Sequence, residues 1–215
     1  MTTRTRTRTR SAARLATALA ALLLAAPPAA GAQTTLTFES VPTNAAGFHP
    51  TPFTGLGGYQ FANWGVLTSA SSFGTGTNAT SGTKFAYGFA GAGSSYIYRT
   101  DINFNLFSAY LSFRTFDGDV AQADVVIRGY RGPAQVFART LSLTDSAQLF
   151  VLDIPNVEEV EFETSALDGT RSAVLAIDDM SIATIPEPGT VVLLLSGLGG
   201  VAGIATVRRR GPRGA

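Results

Sequence analysis

Three acidic residues offer the clearest prospect of metal chemistry. Glu39 lies near the start of the predicted folded domain, and Asp178 and Asp179 lie near its end. In jelly-roll folds the first and last strands commonly lie side by side, which would bring these carboxylates together. Calcium prefers several carboxylate and carbonyl oxygens, so the three residues form a candidate site for a structural calcium ion, the one cofactor that the sequence suggests. The alternative is that Asp178 caps a turn or accepts backbone N–H bonds.

Sugar binding would need exposed aromatic rings together with a few polar groups. Trp64 follows Asn63 in Phe61-Ala62-Asn63-Trp64-Gly65, and we predict these two residues as the candidate ligand-binding pair. Each aromatic residue also has a structural interpretation, because core and cross-strand packing are its commoner uses. The aromatic candidates are Tyr59, Trp64, Tyr96, Tyr98, Tyr110 and Tyr130.

The sequence argues against an enzyme, and we predict no catalytic residues. His49 is the single histidine, and no Gly-x-Ser-x-Gly elbow is present to supply a nucleophile. A glycoside hydrolase needs only two carboxylates at a suitable separation, and it remains the distant alternative. The glutamates that could supply these carboxylates are instead typical of a solvated strand face. They are Glu158, Glu159, Glu161 and Glu163.

The residues that must position these groups show the alternation of β-strands. About ten short runs of period two follow one another, divided by turn signals such as Arg131-Gly132-Pro133 and Ile154-Pro155-Asn156. No amphipathic helix interrupts them. The pattern predicts an all-β, jelly-roll-like β-sandwich, with long loops at Asn44–Gly58 and Ser69–Gly82. The predicted strands are Thr34–Glu39, Tyr59–Val66, Lys84–Phe89, Ser95–Arg99, Tyr110–Phe116, Ala123–Tyr130, Gln135–Leu143, Gln148–Asp153, Glu158–Glu163 and Ala173–Ile182.

Residues 1–32 have the three parts of a secretory signal peptide. Arginines alternate with threonines up to Arg10, an apolar stretch runs from Leu15 to Ala26, and Ala30-Gly31-Ala32 fits a small-residue cleavage site. The arginines are never adjacent, which favours the general secretory route over the twin-arginine route. A retained membrane anchor is the alternative interpretation.

Residues 185–215 form a second terminal segment with its own order of parts. Pro186, Glu187 and Pro188 come first, and the 18 uncharged residues from Thr190 to Val207 follow. As a helix these would span roughly 27 Å at about 1.5 Å per residue, enough to approach a hydrocarbon core of about 30 Å. The sequence therefore predicts a single transmembrane helix at 190–207. A basic tail, 208–215, then begins with Arg208, Arg209 and Arg210, which should stay cytoplasmic as a membrane stop.

This arrangement resembles the PEP-CTERM sorting signal of Gram-negative bacteria. The resemblance covers only the end of the chain: the Pro186-Glu187-Pro188 motif, a Gly- and Leu-rich apolar helix and an arginine cluster. It implies an exosortase as partner, a membrane-anchored stage, and association with exopolysaccharide and biofilm. The expected location is the inner membrane first, then the cell surface or extracellular matrix.

Residues 33–184 remain as the exported domain. They hold seven basic and fourteen acidic residues, a net charge of −7, and the chain has no cysteine. The charge disfavours nucleic acid as a partner, and the fold must be stabilised without disulfides. The length suffices for one ordinary domain with a core.

The exported domain also resembles carbohydrate-binding β-sandwich modules of the galactose-binding-like kind. The matching pieces are Leu36-Thr37-Phe38-Glu39, the hairpin Val126–Leu143 and Ala176-Ile177-Asp178-Asp179-Met180. Modules of this kind bind a structural calcium ion at such a place. We therefore expect a non-catalytic glycan-binding module in the exopolysaccharide layer. The alternative is a structural coat or matrix protein that associates with itself.

Overall fold

The computed structural model describes residues 31–49, 52–69, 79–90, 93–115, 122–164 and 173–185. These residues belong to one compact unit, and they form thirteen strands and no helix. The strands are β1 (Thr34–Leu36), β2 (Phe48–His49), β3 (Phe53–Leu56), β4 (Tyr59–Ala62), β5 (Trp64–Thr68), β6 (Lys84–Ala90), β7 (Ser95–Tyr98), β8 (Phe104–Thr115), β9 (Gln122–Arg131), β10 (Ala134–Thr144), β11 (Gln148–Val157), β12 (Glu159–Thr164) and β13 (Ala173–Thr184).

Two antiparallel sheets make up the domain. Sheet A has the order β11-β8-β13-β6-β5-β2, and β1 pairs with β13 in the same sheet. Sheet B has the order β10-β9-β12-β7-β4-β3. From β4 onward the chain passes from one sheet to the other at most of its connections, as it does in a jelly roll. The all-β, jelly-roll-like sandwich predicted from the sequence is confirmed.

The core lies between the sheets and is built from the inward residues of each strand. On β12, Val160 and Phe162 are fully buried, whereas the glutamates that alternate with them, Glu159, Glu161 and Glu163, point outward. Trp64 of sheet A meets Phe162 of sheet B edge to face, with ring centroids 5.4 Å apart. Aromatic pairs of this geometry add stability beyond their buried area, so the pair helps to hold the two layers together.

The strand boundaries depart from the sequence expectation at backbone irregularities. The predicted strand Tyr59–Val66 is two strands in different sheets, because Asn63 between them has a φ of 61°. The predicted turn Ile154-Pro155-Asn156 lies inside β11, where irregular register accompanies positive φ angles at Asp153 and Asn156. Two short strands, β2 and β3, occupy the predicted loop Asn44–Gly58.

The predicted terminal segments fall largely outside the described residues. These segments are residues 1–30 of the signal peptide, the motif at 186–188, the helix at 190–207 and the tail at 208–215. Within the part of the chain that the structure describes, no helix has the length and apolar character needed to cross a membrane.

Candidate functional site

Asp178 is buried within β13, and its carboxylate accepts hydrogen bonds from the segment that leads into β6. The side chain has 1% of its surface exposed, and Oδ2 accepts from the amide nitrogens of Thr80 at 2.7 Å and Ser81 at 3.1 Å. Oδ1 accepts from the amide of Asp179 at 2.8 Å. Burial raises the pKa of Asp178, although these three backbone bonds act against it. The carboxylate therefore holds the 80–81 backbone against the sheet.

Asp179 and Glu39 contact the same segment in a similar way. Asp179 accepts from the hydroxyls of Ser81 and Thr80, and Glu39 Oε1 accepts from the amides of Thr83 at 2.7 Å and Lys84 at 2.6 Å. Backbone N–H groups donate hydrogen bonds and cannot ligate a cation, so these amides satisfy carboxylate oxygens that a calcium ion would otherwise use.

The calcium site at Glu39, Asp178 and Asp179 stays a prediction. No group of three or more potential metal ligands occurs among the described residues. The contacts match the alternative, in which Asp178 accepts backbone N–H bonds. All three carboxylates contact one region of the chain, residues 80–84.

Trp64 cannot act as a stacking platform, so that part of the predicted ligand pair is wrong. Its side chain is 0% exposed, because the turn at Asn63 carries the chain from sheet B into sheet A and directs the next ring inward. Asn63 itself is exposed, and its amide donates to the carbonyl of Ser94 at 2.8 Å. Its role in ligand binding stays a prediction.

A second carboxylate, Glu161, organises the outer face of sheet B. It lies on β12 with only 9% of its surface exposed, although the strand alternation points it away from the core. Oε2 accepts from Tyr130 at 2.7 Å and from Arg128 at 3.2 Å. Oε1 accepts from Ser94 and, at 3.5 Å, from Tyr96. Four side chains from β9, β7 and the segment preceding β7 thus converge on one carboxylate.

The register of sheet B explains why these side chains meet. Glu161 is the Cα partner of Tyr96 on β7 and of Arg128 on β9. One row further along, Glu159 is the partner of Tyr98 and of Tyr130 in the same two strands. Side chains directly opposite in neighbouring strands lie about 5 Å apart at Cβ, so each glutamate is flanked from both sides.

The two glutamates differ in their electrostatics. Burial raises the pKa of Glu161, but hydrogen bonds from Ser94, Tyr130 and Arg128 outweigh it and leave the pKa below its usual value. The pKa of Glu159 is raised, first by burial and then by the charge of Glu161. Glu161 is thus a stabilised anion, whereas no described residue forms an ion pair with Glu159.

These residues define a surface that we call the tyrosine face. The Cα partner of Tyr98 on the next strand is Gln60, which extends the row to β4. The tyrosines and Gln60 are half-buried, so part of each remains accessible. The members of the tyrosine face are Gln60, Tyr96, Tyr98, Arg128, Tyr130, Glu159 and Glu161.

The tyrosine face has the chemical parts that sugar recognition requires: aromatic surface for the ring faces of a sugar, with carboxylate, amide and guanidinium groups for its hydroxyls. The sequence predicts its tyrosines as candidates for sugar binding, whereas the pattern of its glutamates predicts a solvated strand face. The alternation was correct for Glu159, Glu161 and Glu163, but Glu161 is buried by its neighbours. A signal was present in Tyr96-Ile97-Tyr98, two aromatics on one strand face, but the strands that flank it follow only from the register.

The terminal segment matches a known family. Residues 184–210 match the family model of the PEP-CTERM protein-sorting motif. The chain carries a PEP-CTERM motif. That motif implies an exported surface protein that an exosortase sorts, and the match spans the predicted motif residues Pro186, Glu187 and Pro188 and the arginines 208–210.

Comparison of the described fold with solved structures finds family 29 carbohydrate-binding modules. A mutant of the module CBM29-2 shares 12% identity over 72% of this chain and 92% of its own, with a TM-score of 0.36. A second mutant, complexed with mannohexaose, gives the same values. At that TM-score the likeness carries no weight for the ligand of this chain, and the fold assignment rests on the strand pairing. None of the curated proteins matches the chain.

Proposed function

We propose that the tyrosine face binds an extracellular glycan without catalysing its cleavage. The observation that carries the proposal is the hub at Glu161, where one buried carboxylate fixes the hydroxyl of Tyr130 and the guanidinium of Arg128, with the hydroxyl of Tyr96 3.5 Å away. Side chains fixed before binding lose little conformational freedom when a ligand arrives. A preorganised aromatic and polar surface on a rigid sheet is therefore suited to recognition.

The same hub argues against a hydrolase. Glycosidases use one carboxylic acid to protonate the leaving group and one carboxylate as nucleophile or base. Both oxygens of Glu161 are occupied by donors, and Arg128 and Tyr130 hold the group as a stabilised anion. Glu159 is then the one remaining carboxyl group of the tyrosine face, and a single group cannot act as both the acid and the nucleophile or base. The absence of reducing ends after incubation with the bound polysaccharide would agree with this assignment.

Sorting places this domain outside the cell in our proposal. The signal peptide directs export, the helix at 190–207 anchors the chain in the inner membrane, and an exosortase acts at residues 186–188 before the domain reaches the cell surface or matrix. Deleting the chain from Pro186 onward should release the domain to the medium. Retention of the truncated protein in the membrane fraction would contradict the sorting role.

The glycan proposal is tested with the host's own exopolysaccharide. The full chain, held in a polyoxyethylene detergent that lacks a sugar headgroup, is titrated with the polysaccharide. We expect saturable binding, and about tenfold weaker binding for Tyr98→Ala, a loss of about 1.4 kcal/mol. Tyr110→Ala is the matched control, because Tyr110 is a half-buried tyrosine on the outer side of β8 in the other sheet.

A parallel titration with a chelator addresses the calcium prediction. Equal affinity with calcium and with chelator is expected, since N–H donors surround Asp178. No saturable binding by the folded wild-type protein, or equal losses for Tyr98→Ala and Tyr110→Ala, would overturn the assignment of the tyrosine face.

A coat or matrix role is the second candidate, and one observation favours it. Among the described residues, three large apolar side chains are well exposed, and all lie on the edge strands β10 and β11; they are Val136, Leu149 and Val151. Exposed apolar residues on unpaired edges are typical sites of strand addition. Concentration-dependent growth of particle mass, abolished by Leu149→Lys, would support self-association, and a constant mass would exclude it.

A further inference from the structure

Glu159 differs from every other charged residue of the tyrosine face in its lack of a partner. Its carboxylate makes no hydrogen bond or ion pair with any residue that the structure describes, although the residue is half-buried in the middle strand of the row. Its Cα partners are Tyr98 on one side and Tyr130 on the other. An anion between two aromatic side chains therefore faces the space that a ligand would occupy.

The positive charge available on this face does not reach Glu159. Arg128 is the nearby cation, and its two terminal nitrogens bond to Glu161 at 3.2 Å and Glu163 at 2.6 Å. The guanidinium is thus shared between two other carboxylates. The face keeps a net negative charge at Glu159, which the exported domain, with its net charge of −7 over residues 33–184, does nothing to offset.

The fold itself gains nothing from the charge at Glu159. Burial raises the pKa of this carboxyl, and the negative charge of Glu161 raises it further. Both effects mean that the ionised form is disfavoured where it stands. A cation beside Glu159 would offset both the cost of burying its charge and the repulsion from Glu161. The hydroxyl of a neutral sugar would supply a hydrogen bond without balancing the charge.

We propose that Glu159 makes the tyrosine face selective for glycans that contain cationic amino sugars. An ammonium group placed over this row would meet the carboxylate directly and the electron-rich faces of Tyr98 and Tyr130 from the sides, and such faces attract cations. Uronic acids would be repelled by Glu159 and Glu161. The inference rests on the proposed glycan-binding function and adds the class of sugar that the site prefers.

The test compares three tetrasaccharides of the same linkage by calorimetry with the full chain in polyoxyethylene detergent. They are β-1,4-linked oligomers of glucosamine, N-acetylglucosamine and glucose, measured at about pH 6, below the pKa of about 7.7–8.0 of an α-amino group, an amine that also stands beside electron-withdrawing groups. We expect the glucosamine oligomer to bind about tenfold more tightly than the other two. Glu159→Gln keeps the shape of the side chain and should remove that preference.

Asp124→Asn is the matched control, because it removes the same charge from the same outer face. Asp124 lies on β9 six residues before Tyr130, which is roughly 20 Å along an extended strand. It should leave the preference intact. Circular dichroism confirms that both variants are folded before their affinities are compared.

Any one of four outcomes would overturn the inference. Two concern the wild type: equal affinity for the three oligomers, or failure to bind any of them. The others are survival of the amine preference in Glu159→Gln and its loss in Asp124→Asn. Titration with the host exopolysaccharide decides the proposed function separately, so an error about the class of sugar and an error about glycan binding give different results.

Discussion

Asp178 and Glu161 are two buried carboxylates that serve different purposes in the same sandwich. Asp178 in sheet A accepts mainly from backbone amides, at Thr80, Ser81 and Asp179. Glu161 in sheet B accepts only from side chains, and two of these are tyrosines. The first arrangement fixes the path of the main chain, and the second fixes the shape of a surface.

The type of hydrogen-bond donor distinguishes structural from functional acidic residues in this fold. Backbone donors are present whatever the sequence, so a carboxylate that accepts from them stabilises a loop. A carboxylate that accepts from tyrosine and arginine side chains needs a specific residue type at one position on each of several strands. Removing the first carboxylate should therefore affect stability alone, and removing the second should affect stability and binding together.

The largest effect is expected at Asp178. Asp178→Ala leaves the amides of Thr80 and Ser81 without their acceptor, and an unsatisfied buried polar group costs about 1–3 kcal/mol. We expect a loss of about 3 kcal/mol in the free energy of unfolding, measured with urea, and unchanged glycan affinity in the folded protein. Asp179→Asn weakens only hydroxyl bonds and suits the positive φ of 45° at this position, so it should cost less. Equal losses for the two variants would contradict the distinction between backbone and side-chain donors.

The next effect is expected at Glu161. Glu161→Gln keeps the size of the side chain but removes the charge from four hydrogen bonds, and a bond to a charged group contributes about 1.5–3 kcal/mol. We expect about 2 kcal/mol of lost stability and at least a tenfold weaker glycan affinity. In Glu163→Gln only an exposed pair with Arg128 is altered, and such pairs contribute about 0–1 kcal/mol. Full affinity in Glu161→Gln would show that the hub does not shape the face.

The pH dependence gives a smaller and more specific signal. The pKa of Glu161 lies below its usual value of 4.5 when folded, so its ionisation stabilises the protein above the unfolded pKa. This contribution is lost as the pH falls through the folded pKa. Asp178 affects stability in the opposite direction. Burial raises its pKa, so protonation of this carboxyl favours the folded state. The stability gap between wild type and Glu161→Gln should therefore close on acidification, as followed by thermal unfolding at a series of pH values; a gap independent of pH would contradict it.

The smallest effect on stability is expected at Glu159. The pKa of this carboxyl is raised by burial and by Glu161, so Glu159→Gln removes a charge that the fold disfavours. Unfolding in urea should show a change within about 0.5 kcal/mol, with any shift toward higher stability. A clear destabilisation would mean that Glu159 has a structural partner, and the comparison with Glu161 would then fail.

The class of fold could be derived from the sequence because alternation is a local property. On β12, Val160 and Phe162 face the core and the glutamates face outward, as the pattern predicts. The prediction of the strand boundaries was wrong where the same residues are compatible with both a turn and an irregular strand. Pro155 and Asn156 mark a turn in most sequences, but here they lie in an irregular stretch of β11.

The candidate site could be derived only in part, since it depends on contacts between distant strands. Tyr96, Glu161 and Tyr130 are ordinary strand residues until the register places β12 between β7 and β9. Trp64 was misjudged for a related reason: the turn at Asn63 that moves the chain between sheets is set by a single positive φ angle. Sequence periodicity shows which face a residue takes, but not which residues become its neighbours.

The position of β13 has a mechanical consequence for the anchored form that we propose, in which the C-terminal segment holds the domain. This strand lies between β8 and β6, and it pairs with β8 along most of its length up to Thr184. Tension on the chain beyond Ile185 would pull β13 along its own axis, and the ladder bonds run across that axis. The bonds would then share the load in shear rather than open one at a time. The strand closest to the tether is thus the one best arranged to resist being drawn out of the sheet.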